Sequence, residues 1–357
     1  MNTNRVFYTF ISIFLVSMIL TQLACKKNND DPEISKNVWA VGAADNTEYA
    51  TILFSGDGDN WIRQGGNLEV LSGVNLNDVW AIDKNTVWAV GSENSILKTN
   101  DGGTSWNQNS TLKQNTDIEL FSISLIGTDN IWISGSPGIV YNSLDGGENW
   151  DTSNSEILSD KFLQGIHAVN SQTVYAVGAR SLNSKRGFIA RTLDAGQTWD
   201  SIVPADNFNK HLWLGVTSSD ANNIVIYGAH AHYIYSNDGG QTWKNDSVPD
   251  SGGTGGADIN SMKMLDAVTW WGAFDYDNIF ITNDNGDSWE NQGPAPNPGN
   301  MWLLGIDYYD SNFCIIVGSS TNSNNGKIIK TTDGGKIWET KYETNAWMKN
   351  VSFVKNR

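Results

Sequence analysis

The chain has 357 residues, of which 39% are hydrophobic and 17% charged, with 35 glycines, 16 tryptophans, two cysteines and a formal net charge of −16 at pH 7. An acidic field of that size repels phosphate backbones, which excludes nucleic acid as the expected partner. Two cysteines exclude a disulfide framework, so stability has to come from burial and hydrogen bonding.

At the N-terminus, Arg5 precedes a run from Val6 to Leu20 whose only polar side chains are Tyr8, Thr9, Ser12 and Ser17. One positive charge followed by a short apolar stretch is the pattern of a processing signal, and the run is shorter than the ~20 residues that span a bilayer. It ends at Gln22-Leu23-Ala24-Cys25, which resembles a bacterial lipobox. That resemblance implies cleavage before Cys25 and diacylation of its thiol. Residues 1–24 are therefore expected to be a lipoprotein signal, and their removal takes away only the charge of Arg5, leaving the remainder more acidic still. The polar stretch Lys26-Lys27-Asn28-Asn29-Asp30-Asp31-Pro32-Glu33 carries too little apolar surface to fold, and residues 25–36 are read as a tether. A lysine and acidic cluster directly after the lipidated cysteine is similar to that of Bacteroidetes surface lipoproteins, which implies an outer-membrane anchor and display on the cell surface.

From residue 37 onward one motif recurs. Ser/Thr-x-Asp-x-Gly-x-x-Trp appears at Thr99/Asp101/Gly103/Trp106, Ser143/Asp145/Gly147/Trp150, Thr192/Asp194/Gly196/Trp199, Ser236/Asp238/Gly240/Trp243, Thr282/Asp284/Gly286/Trp289 and Thr331/Asp333/Gly335/Trp338. A copy one residue short stands at Ser55/Asp57/Gly58/Trp61, and the tryptophans are spaced by 44 to 49 residues. Repeats of that length mean a propeller or solenoid. The chemistry is that of a hairpin staple: the Asp accepts backbone N–H bonds in a tight turn, the Gly takes a positive φ, and the Trp folds back to bury its ring. The seven aspartates are accordingly structural.

Upstream of each box lies an apolar run, such as Val38-Trp39-Ala40-Val41-Gly42, Val87-Trp88-Ala89-Val90-Gly91 and Cys314-Ile315-Ile316-Val317-Gly318. Continuous rather than alternating hydrophobicity predicts strands buried on both faces. About thirteen residues before each glycine a further strand begins, visible at Ser122-Ile123, Gly165-Ile166, Gly215-Val216 and Gly305-Ile306. Four strands per repeat and seven repeats predict an all-β, seven-bladed propeller with four-stranded antiparallel blades over residues 37–357. The first repeat lacks its inner strand, and Trp347-Met348-Lys349-Asn350-Val351-Ser352-Phe353-Val354 aligns with Trp302-Leu303-Leu304-Gly305-Ile306. The C-terminal strand is thus expected to complete the first blade.

The motif is that of the BNR or Asp-box repeat, and over residues 37–354 the chain resembles propellers of the photosystem II stability and assembly factor type. That resemblance implies a protein that holds partners without catalysing a reaction, although the arginine-rich patch expected of that family is missing here. Sialidases share the boxes but need three converging arginines; after Cys25 this chain has only Arg63, Arg180, Arg186, Arg191 and Arg357, two of them in one loop. Xyloglucan-cleaving relatives use two propellers facing a cleft. The expected function is a monomeric, non-catalytic envelope lipoprotein, held to the membrane through Cys25, that binds a protein, peptide or glycan without cofactor or metal. The alternative is a glycoside hydrolase of the outer envelope, for which Asp275 and Asp277 are the closest carboxyl pair on a rim loop.

In propellers the loops leading into inner strands and those joining second to third strands gather on one face around the channel. Phe162, Trp213, Trp302 and Trp347 stand at the first of these positions and are candidate binding residues. His211, His230 and His232 belong to one blade and are expected to approach one another on the same face. The runs Ser251–Gly256 and Gly293–Gly299 read as loops between blades.

Overall fold

The computed structural model describes residues 35–65, 69–109, 112, 117–153, 155–184, 186–202, 211–249, 256–293 and 301–354. The expected signal, Cys25, most of the tether and the greater part of both inter-blade loops lie outside the described residues. Among the described residues, 28 strands form seven four-stranded sheets in which every pairing is antiparallel. Six sheets are each built from four consecutive strands, and the seventh places the C-terminal strand Met348–Phe353 beside the N-terminal strand Val38–Ala44. Val38 faces Phe353 and Ala40 faces Val351 across that closure. The ring of seven blades, closed by the last strand, is the architecture the repeat predicts.

Each second strand is buried along its central residues because a neighbouring blade covers either face: Val87–Gly91 and Trp270–Phe274 contain no exposed position. Trp39, Trp132, Trp270, Trp271 and Tyr175 are all almost completely enclosed. Burying even one Val, Leu or Ile beside them contributes about 1.5–3 kcal/mol, so the wedge between blades dominates stability.

The Asp box links neighbouring blades as well as stapling its own hairpin. In the second blade Thr99 Oγ1 donates to Asp101 Oδ1 at 2.8 Å and accepts Gly103 N–H at 2.9 Å. Asp101 also accepts the backbone N–H and hydroxyl of Ser105, at 2.9 and 2.6 Å. The backbone and side-chain amides of Asn149 hold Asp145 down to about 2, and the Thr242 hydroxyl and backbone do the same for Asp238. The box tryptophan folds back over its own turn, as Trp150 Nε1 donating to Gly147 O at 3.1 Å shows, but its ring partner belongs to the preceding blade. Trp106 meets Trp39 edge-on at 6.0 Å, Trp150 meets Trp88 at 5.9 Å, and Trp199, Trp243 and Trp338 meet Trp132, Tyr175 and Trp271 in the same way. The fifth blade has Val225 at the equivalent second-strand position. There Tyr233 takes over, meeting Trp289 at 5.7 Å and donating its hydroxyl to Gly286 O at 3.0 Å. In the first blade Trp61 packs against a cluster that includes Phe313, Ile315 and Val317 of the last one. The box glycine makes the approach feasible: at Gly147, with φ of +87°, a Cβ would stand 2.3 Å from the Trp88 ring.

Inner strands carry a second shared irregularity. Their pairing with the second strand slips by one residue, between Leu76 and Asp78 in the second blade and at the equivalent place in the other six. These are β-bulges, in which one residue of the inner strand is left unopposed. The glycine ending most second strands sits against them: a Cβ at Gly91 would lie 2.0 Å from Asn75 O, and one at Gly178 would lie 1.8 Å from Phe162 O.

Candidate functional site: the upper mouth of the channel

The inner strands surround a central cavity of about 460 Å³. The loops leading into these strands meet at its upper mouth, and the Asp boxes lie toward the opposite, lower face. An inner strand is an edge strand, so its channel-side N–H groups need partners from outside the sheet. The adjoining blade supplies them. Asp78 accepts Ile123 N–H at 2.8 Å, Ser124 Oγ accepts Ala168 N–H at 3.0 Å, Asp307 accepts Phe353 N–H at 2.8 Å and Ser352 Oγ accepts Ala81 N–H at 3.1 Å. Asp78 also takes Asn350 Nδ2 at 2.5 Å; burial pushes its carboxyl up, against the pull of the Ile123 amide and the Lys263 charge. His167 Nε2 and Ser218 Oγ, 2.7 Å apart, make the same blade-to-blade link through side chains.

Above this belt, each bulge turns its unopposed residue into the cavity. The seven are Lys349, Asn77, Phe121, Gln164, Leu214, Asn260 and Leu304, one per blade, and all line the channel. Sequence reasoning missed them, although a signal existed: Phe121, Gln164, Leu214 and Leu304 each stand directly before the small residue and β-branched aliphatic that mark an inner strand.

The predicted face residues divide around this ring. Trp302 and Trp347 are half-exposed and meet edge-on at 5.4 Å, Trp347 Nε1 donates to Ser323 O at 3.2 Å, and the Lys349 ammonium lies 5.0 Å from the Trp347 ring centre. Phe162 is also half-buried, 4.7 Å from Phe121. Trp213 is placed differently. It stands one register position deeper than its counterparts, opposite Gly228, and is 1% exposed, so its indole wedges between blades and does not reach the mouth. A Cβ on Gly187 would come within 2.5 Å of its Nε1.

The three histidines do meet. His211 and His232 lie 3.8 Å apart at 30°, and His230 is 5.8 Å from His211. Burial lowers the basicity of His232, and the charge of His230 adds to this against the opposing pull of Asp246. The first two rings are in contact at a tilt, and among the described residues no group of three His, Cys, Asp or Glu side chains is arranged to hold a metal. Of the arginines, Arg63 pairs with Asp45, and Arg191 donates to Gly240 O at 3.1 Å, linking two blades.

The rim carboxylates take separate roles. Asp277 is 3% exposed, accepts Met301 N–H at 3.3 Å and donates its own N–H to Met301 O at 3.0 Å, tying the sixth blade to the seventh. Asp275 is half-buried at the mouth, accepts Asn260 Nδ2 at 2.8 Å and forms an isolated antiparallel bridge with Trp302. Burial raises its pKa, and the charge of Asp258 adds to the rise. Glu119 accepts Asn77 Nδ2 at 2.9 Å on the far side of Lys349. Burial depresses the Lys349 ammonium, and Glu119 works in the opposite direction.

Comparison with known proteins agrees with the fold. Residues 59–207 match the family model of the photosynthesis system II assembly factor YCF48, and residues 234–245 match that of the BNR/Asp-box repeat. No curated protein matches the chain. Among solved structures, YCF48 bound to a D1 peptide is 20% identical with a TM-score of 0.57, over 75% of this chain and 82% of that one. A protein from Lactobacillus plantarum is 10% identical with a TM-score of 0.64, over 90% of this chain and 100% of the other. The WD40 repeats of RRP9 are 6% identical with a TM-score of 0.59, over 78% and 84%. At these identities the likeness is one of fold. Repeat, topology and family models together make the chain a seven-bladed β-propeller of Asp-box repeats that resembles the YCF48 assembly factors.

Proposed function

We propose that the protein is a non-catalytic envelope lipoprotein whose upper mouth holds a segment of a partner protein in an assembly or scaffolding role. The observation that carries this reading is the mouth itself, where seven bulges present a different side chain from each blade beside the half-exposed rings of Trp302, Trp347 and Phe162. Aromatic rings interleaved with amides suit an extended peptide, whose backbone needs hydrogen bonds and whose side chains need apolar contact. The D1 peptide bound by YCF48 supports a peptide over a glycan.

Anchoring through Cys25 is part of the proposal, and the lipobox-like Gln22-Leu23-Ala24-Cys25 is what supports it. Lys36 donates its N–H to Gly56 O at 2.8 Å beside the first Asp box, and its ammonium lies 5.0 Å from the centre of the Phe313 ring. These contacts pin the start of the first strand to the first and the last blade. Metabolic labelling with palmitate, lost in Cys25→Ala together with membrane association, tests the anchor.

Photo-crosslinking tests the binding face. A benzophenone side chain at Trp347 is expected to give discrete protein adducts in intact envelopes, and one at the exposed Ile337 of the last Asp box is not. Adducts confined to Ile337 would overturn the reading. The hydrolase alternative rests on Asp275, since burial and a neighbouring carboxylate are the usual way of keeping a carboxyl protonated for acid catalysis. Release of reducing ends from envelope glycans that disappears in Asp275→Asn would establish it instead.

A further inference from the structure

We propose that the side of the upper mouth formed by the sixth, seventh and first blades is a socket for one cationic side chain, Lys or Arg, of the bound protein segment. This rests on the reading of the mouth as a protein-binding site and names what it recognises.

Asp275 and Trp302 face each other in an antiparallel bridge, an arrangement that puts both side chains on the same side of the backbone and in contact range. Asn260, whose side chain lines the channel, holds the Asp275 carboxylate at the rim. Trp302 in turn meets Trp347, and the ammonium lodged over Trp347 belongs to Lys349. Carboxylate, indole, indole and ammonium thus follow one another along the rim, and the aromatic pair already hosts one cation on its channel side. Asp258 stands beside Asp275, its Oδ1 taking the backbone N–H of His230 at 2.9 Å. Asp258 and Asp275 thus stand together on this side of the mouth, while Glu119 is the carboxylate that acts on the Lys349 ammonium.

A half-buried carboxylate with a like charge beside it is poorly compensated, and an arriving ammonium or guanidinium relieves both desolvation and repulsion. Adjacent indole faces add a cation–π contribution that neutral or anionic side chains cannot gain. The net charge of −16 works in the same direction at long range, drawing basic segments in and turning acidic ones away. The turn that carries Asp275 is held in a defined shape: Tyr276 and Asp277 both adopt left-handed φ values, of 60° and 63°, and the Asp277–Met301 pairing locks them.

The test is selection of random dodecapeptides displayed on phage against the immobilised full chain, repeated with Asp275→Asn and Asp258→Asn variants whose thermal melts match the parent. Peptides from the parent should be enriched in Lys or Arg. Binding of those peptides should weaken roughly tenfold in Asp275→Asn, the worth of a charge-assisted hydrogen bond, and less in Asp258→Asn. Peptides retained without basic enrichment, or basic peptides unaffected by either variant, would overturn the socket and leave the binding reading standing. Retention of no peptide at all would defeat that reading, and the socket with it.

Discussion

The two ends of the channel are built on opposite rules. Around the lower periphery the same side chains return in every blade: a Ser or Thr, an Asp, a Gly and a Trp, locked by the same hydrogen bonds and meeting an aromatic or apolar side chain of the blade before. At the upper mouth the backbone device is repeated as faithfully, a bulge in every inner strand, yet the residues it displays run from Lys349 to Asn77, Phe121, Gln164 and Leu214. Sameness at the periphery supplies cohesion between blades. Difference at the mouth supplies a surface that is not seven-fold symmetric, as recognition of a single asymmetric partner requires.

That contrast breaks if damage to the two ends has the same consequence. The largest effect should come from deleting residues 348–357, which removes the strand closing the ring together with buried Met348, Val351 and Phe353. Loss of three such side chains costs on the order of 5 kcal/mol or more, and calorimetry should show a melting temperature lower by more than about 10 °C or no cooperative transition. An unchanged melt would mean that closure contributes nothing. Next, Trp106→Ala at the periphery should cost about 3–5 kcal/mol in denaturant unfolding, because it opens a cavity against Trp39. Gly147→Ala should cost somewhat less, about 1–3 kcal/mol, since the methyl group strikes Trp88 and the residue is left-handed. At the mouth, Trp347→Ala should change stability by less than about 2 kcal/mol while sharply weakening binding of the peptides selected on the parent, the reverse of Trp106→Ala.

The smallest effect sharpens the comparison through pH. Box carboxylates such as Asp145 and Asp238 have folded-state values near 2, below the ordinary 3.8, so their contribution is complete above about pH 4 and is lost as the pH falls toward 2. Asp78 and Asp275 are raised, and the sign reverses: protonating them on acidification favours the folded state. Melting temperatures measured between pH 5 and 2.5 should therefore fall, and a box variant such as Asp145→Asn should flatten the curve where Asp275→Asn does not. Equal slopes in both variants would contradict the division of roles.

The periphery was the legible part. A hairpin staple needs its residues within eight positions of one another, and second strands buried on both faces need unbroken apolar runs, so each leaves a local mark. The mouth was only partly legible. Trp302 and Trp347 were found because they occupy the same register position, whereas Trp213, one position further along, was aligned with them and proved to be core. A single residue of slip sends a strand side chain to the opposite face, and the bulge introduces that slip within every inner strand. Loop topology brought the histidines together, but the tilted contact of His211 with His232 depends on ring orientations that spacing does not encode.

Repeat number and register, written in the chain as seven boxes and one displaced strand, determined by themselves how many blades there are and which two ends meet, since each repeat is a local unit that can bury its apolar faces only against copies of itself. Which bulge residues share the mouth was decided by tertiary structure. Its members lie about 45 residues apart, and they become neighbours because closing the ring brings seven bulged strands around one axis.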